Sequence, residues 1–206
     1  WYGKLSDNWY GIDPAAGNCA VASTPKQHSL RCWLDPNNTG SRIAINGDPH
    51  ITTANGINYD FQGAGEYVVL RDANGLEIQT RQAPIATTSN PPADPYDRLA
   101  TCVSLNSAVA ARVGDHRVTY EPNLNGMPDP SGLQLRVDGE LRTLNPTGID
   151  LGSGGRISKT STPGQLEITF PDASVLTVTP GWWESQSKWY LNVDFIRPGA
   201  PSAIDG

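Results

Sequence analysis

A chain of 206 residues with a net charge of −6 and a pI near 4.9 is long enough for one domain with its own core, and it lacks the basic surface that a phosphate backbone demands. Nucleic acid is therefore not an expected partner. No run approaches the roughly 20 apolar residues of a membrane span and no basic amphipathic helix is present, so membrane insertion is not expected either.

Residues 1–42 place Trp1, Tyr2, Trp9, Tyr10 and Trp33 among Gly, Pro, Asn and Asp. They read as an irregular N-terminal extension whose aromatics pack on the domain that follows. Cys19 and Cys32 lie close enough in sequence for a local disulfide, worth roughly 3 kcal/mol if it forms; two buried thiols are the alternative of equal weight. Cys102, the third cysteine, reads as a small buried hydrophobe on a strand. A chain that opens on Trp1 and has Met127 as its only methionine is expected to be a processed segment.

From residue 43 the sequence reads as strands and turns. Tyr67–Leu70 and Leu76–Thr80 flank Asp72-Ala73-Asn74-Gly75, and Val109–Val113 and His116–Tyr120 flank Gly114-Asp115. Leu133–Val137 alternates apolar and polar residues, meets Asp138-Gly139 and continues as Glu140–Leu144, which predicts a hairpin with a type I′ turn. Leu166, Ile168 and Phe170 alternate up to Pro171–Ser174, with Val175–Thr179 as the return strand. Turns this regular, without helical periodicity between them, predict an all-β fold: a twisted antiparallel sandwich of short strands and hairpins over residues 43–197, with 198–206 as a tail. The Pro-rich stretch 82–100 is expected to be a long loop of the kind that carries function.

Gly47-Asp48-Pro49-His50 is followed by a short strand, the Asn55-Gly56 turn, Tyr59-Asp60-Phe61 and then Tyr67-Val68-Val69-Leu70. This succession resembles the opening signature of von Willebrand factor type D domains, and later segments keep the likeness over about 46–195. From the residues alone, Asn55-Gly56 suits a tight hairpin, and Tyr59 and Phe61 share one face at period two as core candidates. Asp48 precedes a proline and is held to extended backbone, with His50 two residues on along the same side. A turn cap with a hydrogen-bonded histidine is one reading of that pair; chemistry is the other.

The resemblance implies an extracellular or cell-surface module acting in adhesion and protein–protein assembly or self-assembly, with no catalysis on an external substrate. It also implies that Asp48 can help hold calcium and that the Asp48–Pro49 bond, with His50 beside it, can cleave itself. The family's Cys-Gly-Leu-Cys-Gly-Asn type calcium loop has no counterpart in residues 197–206. Calcium binding is expected to be weak or absent, with Asn192 and Asp194 as the substitute ligands beside Asp48 if it occurs, and no cofactor is required. Ala64 and Gly65 stand where the family commonly has a cysteine, which suits a cysteine-poor, microbial type of the domain. Trp182, Trp183, Trp189 and Tyr190 form an aromatic cluster that supports an alternative, a glycan-binding module, although core packing is the commoner fate of such residues.

Overall fold

The computed structural model describes residues 40–54, 56–85, 103–122, 132–184, 187–199 and 204–205. Its strands, in chain order, are β1 (Gly40–Asn46), β2 (His50–Thr52), β3 (Asn58–Asp60), β4 (Gly65–Asp72), β5 (Glu77–Pro84), β6 (Ser104–Val113), β7 (His116–Pro122) and β8 (Leu133–Val137). There follow β9 (Glu140–Arg142), β10 (Ile149–Gly152), β11 (Gly155–Lys159), β12 (Leu166–Thr169), β13 (Val175–Trp183), β14 (Lys188–Pro198) and β15 (Ile204–Asp205). They make an all-β sandwich of two antiparallel sheets. One has eight strands in the order β10-β11-β12-β13-β14-β1-β2-β3, and the other seven in the order β15-β4-β5-β6-β7-β8-β9.

Each strand buries alternate residues because successive side chains point to opposite faces. Leu176 and Val178 of β13, Leu191, Val193 and Phe195 of β14, and Ile43 and Ile45 of β1 face inward from the larger sheet. They meet Leu70, Ile78, Val109, Val113 and Val118 of the smaller one in a single core. Phe170 and Phe195 sit edge to face there, 6.0 Å between ring centres. Each such side chain, removed from water, contributes about 1.5–3 kcal/mol before the entropic cost of ordering the chain.

The four hairpins read from the sequence all form. At Asp138-Gly139 both residues have positive φ, 54° and 85°, the conformation a type I′ turn requires and that Gly supplies without steric cost. Tyr59 and Phe61 pack against the core as expected, with Phe61 edge-on to Tyr67 at 5.0 Å.

Four features differ from the sequence reading. Gln82, Ala83 and Pro84, read as the start of the Pro-rich loop, end β5 and pair with Asn106, Leu105 and Ser104 of β6. β1 starts at Gly40, inside the predicted extension, and pairs with β14 along its length. The β10–β11 hairpin was not predicted: glycines at 148, 152, 154 and 155 interrupt its alternation, and Ile157 is its one fully buried residue. Ile204 and Asp205, placed in the predicted tail, pair with Asp72 and Arg71 and extend the smaller sheet. Cys19, Cys32 and Cys102, the N-terminal aromatics and residues 86–100 of the predicted loop lie outside the described residues.

One charged group ties the two sheets together. Arg197, on the inner face of β14, donates from Nη2 to Asp72 Oδ2 at the end of β4 (2.5 Å) and to Asp172 Oδ2 in the β12–β13 turn (2.5 Å). Its Nε also donates to Asp172, at 2.8 Å. The side chains of Arg197 and Asp72 are only 7% and 2% exposed. Burial pushes the Asp172 carboxyl up, but the Ser174 backbone N–H and the Arg197 guanidinium outweigh it and hold the group below the ordinary carboxylate range.

Candidate functional site

The Gly47–His50 segment is the corner between β1 and β2. Gly47 takes a positive φ of 62° to start the turn. Its N–H donates to Asn192 Oδ1 of β14 at 2.8 Å. On the other side of the corner the Pro49 carbonyl accepts from Phe61 N–H at 3.1 Å. The Asp48–Pro49 peptide is thus held between an anchor on β14 and an anchor just past β3.

His50 sits between two carboxylates. Its Nδ1 is 2.6 Å from Asp60 Oδ1 and its Nε2 is 3.2 Å from Asp48 Oδ1. Asp48 and His50 do approach one another, but across the turn at 47–49 and not along the extended chain expected from the sequence. Asp60 was missed. The signal for it lies in the β2–β3 hairpin, whose register sets His50 directly opposite Asp60. In place of a histidine satisfying a buried carbonyl, the corner holds an acid–histidine–acid bridge open to solvent, with the His50 side chain 58% exposed.

The hydrogen bond that His50 donates to Asp60 raises its pKa most; desolvation opposes it, and the Asp48 and Asp60 charges add to the rise. A histidine with a raised folded-state pKa stabilises the fold fully below its unfolded value of about 6.5, and this is lost as pH rises through the folded value. All three groups are well exposed, so the expected size is below about 1 kcal/mol. Melting temperatures between pH 5.5 and 8.5 should fall slightly more for the native chain than for His50→Gln, and an NMR titration should place the His50 midpoint above 6.5. Identical pH profiles and a midpoint at or below 6.5 would rule the bridge out.

Each of the three residues expected as calcium ligands has another partner in this structure. Asp194 is engaged by Arg42, whose Nε and Nη2 donate to its two oxygens at 2.9 and 2.7 Å. Asn192 Oδ1 accepts from Gly47, and Asp48 faces His50. Among the described residues no group of three or more His, Cys, Asp or Glu side chains is placed to hold a metal ion. Sequence reasoning missed Arg42 because it lay at the boundary of the predicted extension, whereas the β1–β14 register sets it on the same face as Asp194.

The aromatic set Trp182, Trp183, Trp189 and Tyr190 is not one platform. The β13–β14 register pairs Trp182 with Trp189 and Gly181 with Tyr190, so alternation sends the first pair to the inner side of the sheet and Tyr190 and Trp183 to the outer. Trp182 and Trp189 meet at 5.1 Å between ring centres, and Trp182 Nε1 donates to Glu184 at 2.7 Å. Tyr190 covers Gly181 so closely that a Cβ there would fall within its ring. These rings fill the end of the hairpin, and a flat sugar-stacking surface of all four does not exist. No known protein-family model matches the chain.

Proposed function

We propose that the chain is a module of von Willebrand factor type D kind, cysteine-poor and of microbial type, that works outside the cell or on its surface as a structural and adhesive unit. It acts through protein–protein assembly and not by turning over an external substrate. The observation that carries this reading is the Gly47–His50 corner. The four residues that open the resemblance form a turn with Pro49 buried and His50 exposed, pinned at Gly47 and Pro49 and bridged by His50 between Asp48 and Asp60. The rest of the signature follows as the next strands of the fold, with Tyr59, Phe61 and Tyr67 in contact with the core or with one another.

The surfaces suited to assembly are strand edges. β9 ends the smaller sheet and β10 and β3 end the larger one, and an edge strand presents unpaired backbone groups to which another chain can add. On β9 the apolar Leu141 is 61% exposed. Sedimentation velocity over a wide concentration series should show reversible association of the intact chain, weakened in Leu141→Lys. Monomer at every concentration, with the variant indistinguishable, would contradict assembly through this edge.

A further inference from the structure

On the side where β9 closes the smaller sheet, a cleft of about 560 Å³ opens toward the β11–β12 hairpin of the larger one. An apolar strip runs along its walls, with Tyr120, Leu133 and Leu135 from the smaller sheet and Leu144 and Leu166 facing them, and the polar 160–165 loop completes the lining. Its volume is that of a small-molecule site. The cleft is braced, because the Tyr120 hydroxyl donates to the Gly164 carbonyl at 2.6 Å and fixes the 160–165 loop across its base.

Two cations border this apolar space. Arg142 is paired with Leu135 and Lys159 with Leu166. Both leucines are buried core residues, so the alternation of the strands puts Arg142 and Lys159 on the inward faces of opposite sheets. Arg142 reaches Glu140 only at 3.6 Å. Among the described residues no carboxylate lies within ion-pair distance of Lys159. Two exposed cations at the rim of a partly leucine-lined cleft are complementary to a molecule with an apolar body and one negative end.

We propose that the cleft binds a small anionic amphiphile, an alkyl carboxylate whose chain lies along Leu133, Leu135, Leu144 and Leu166 and whose head group sits between Arg142 and Lys159. Inward-pointing charges also serve to keep an edge strand from pairing, and this is the competing explanation that the experiment separates. The inference does not depend on the family reading.

The test is calorimetric titration of the full chain with decanoate, decanol and decylamine, each below its aggregation threshold. Decanoate should bind saturably at one site, decanol about tenfold more weakly, a loss of about 1.4 kcal/mol, and decylamine not at all. Lys159→Glu, an exposed change at a strand end, should weaken decanoate about tenfold or more, and Leu144→Trp should block it by filling the cleft. Ile196→Lys, an exposed change on the outer face of β14 and outside the cleft, should leave binding unchanged. Equal binding of decanoate and decylamine, or no binding of either, would overturn the proposal. So would a Lys159→Glu variant that keeps its decanoate affinity but sediments as a dimer, which would assign the cations to guarding the edge.

Discussion

Replacing Arg197 by methionine is expected to cost about 3–5 kcal/mol of folding stability, because it leaves the 2%-exposed Asp72 carboxylate buried without its charge partner. The size comes from the burial and not from the number of bonds. Asp72 Oδ1 is already used by the backbone N–H groups of Asn74 and Leu76, which it caps at 2.9 and 3.0 Å, so only Oδ2 is orphaned. Asp172 is 36% exposed, and Asp172→Asn should cost no more than about 1 kcal/mol. Adding Asp72→Asn to Arg197→Met removes the stranded charge while keeping the turn acceptor, and should recover more than half of the loss, a coupling that a double-mutant cycle reads directly. Urea unfolding with an unchanged slope is the measurement. An Arg197→Met variant within about 0.5 kcal/mol of the native chain would show that the group does not brace the sheets.

The sandwich was legible because its signals are local. Alternation at Leu166, Ile168 and Phe170 and the Asp138-Gly139 dipeptide each state a strand or turn within a few residues. What the sequence hid depends on pairing between distant segments. Arg197 reads as a tail-end charge until β14 places it opposite a turn and beside the end of β4. Asp60 reads as one more polar residue until the β2–β3 register sets it against His50. Asp194 was chosen as an oxygen donor, but Arg42, 152 residues away, already holds it. The division of the aromatic cluster is hidden for a related reason: four rings close in sequence are split between two faces by the period of the strand. Where glycine replaces the side chains that would show alternation, as at β10 and β11, even a local hairpin escaped.

The Gly47–His50 corner is the core of the functional reading, and its chemistry yields a bond-breaking expectation. The Asp48 side-chain oxygen can attack its own backbone carbonyl carbon, forming a cyclic anhydride as the bond to the Pro49 nitrogen breaks. The nitrogen leaves as a secondary amine after taking a proton, and water opens the anhydride to a C-terminal aspartate. His50, held charged to higher pH than an ordinary histidine by Asp60 and Asp48, keeps an N–H at the Asp48 carboxylate and is the proton source beside the reacting bond, a role worth about a hundredfold or more in rate where geometry is favourable. The lowered pKa of Asp172 means that the Arg197 brace keeps its charge in mild acid, so the fold should persist at pH 5–6. The cut would fall between β1 and β2, both still paired in the larger sheet, and the pieces should separate only on denaturation. Asp13-Pro14, Asp35-Pro36, Asp94-Pro95 and Asp129-Pro130 are controls within the same chain.

The deciding measurement is denaturing intact-mass analysis of the folded protein after timed incubation at pH 5.5. The expected result is a pair of fragments divided at Asp48–Pro49 in excess over the other four bonds, slowed about tenfold or more in His50→Ala and abolished in Asp48→Ala. Cleavage at all five bonds alike, no cleavage at any, or an unchanged rate in His50→Ala would reduce the corner to a structural turn and remove the main support for the proposed function.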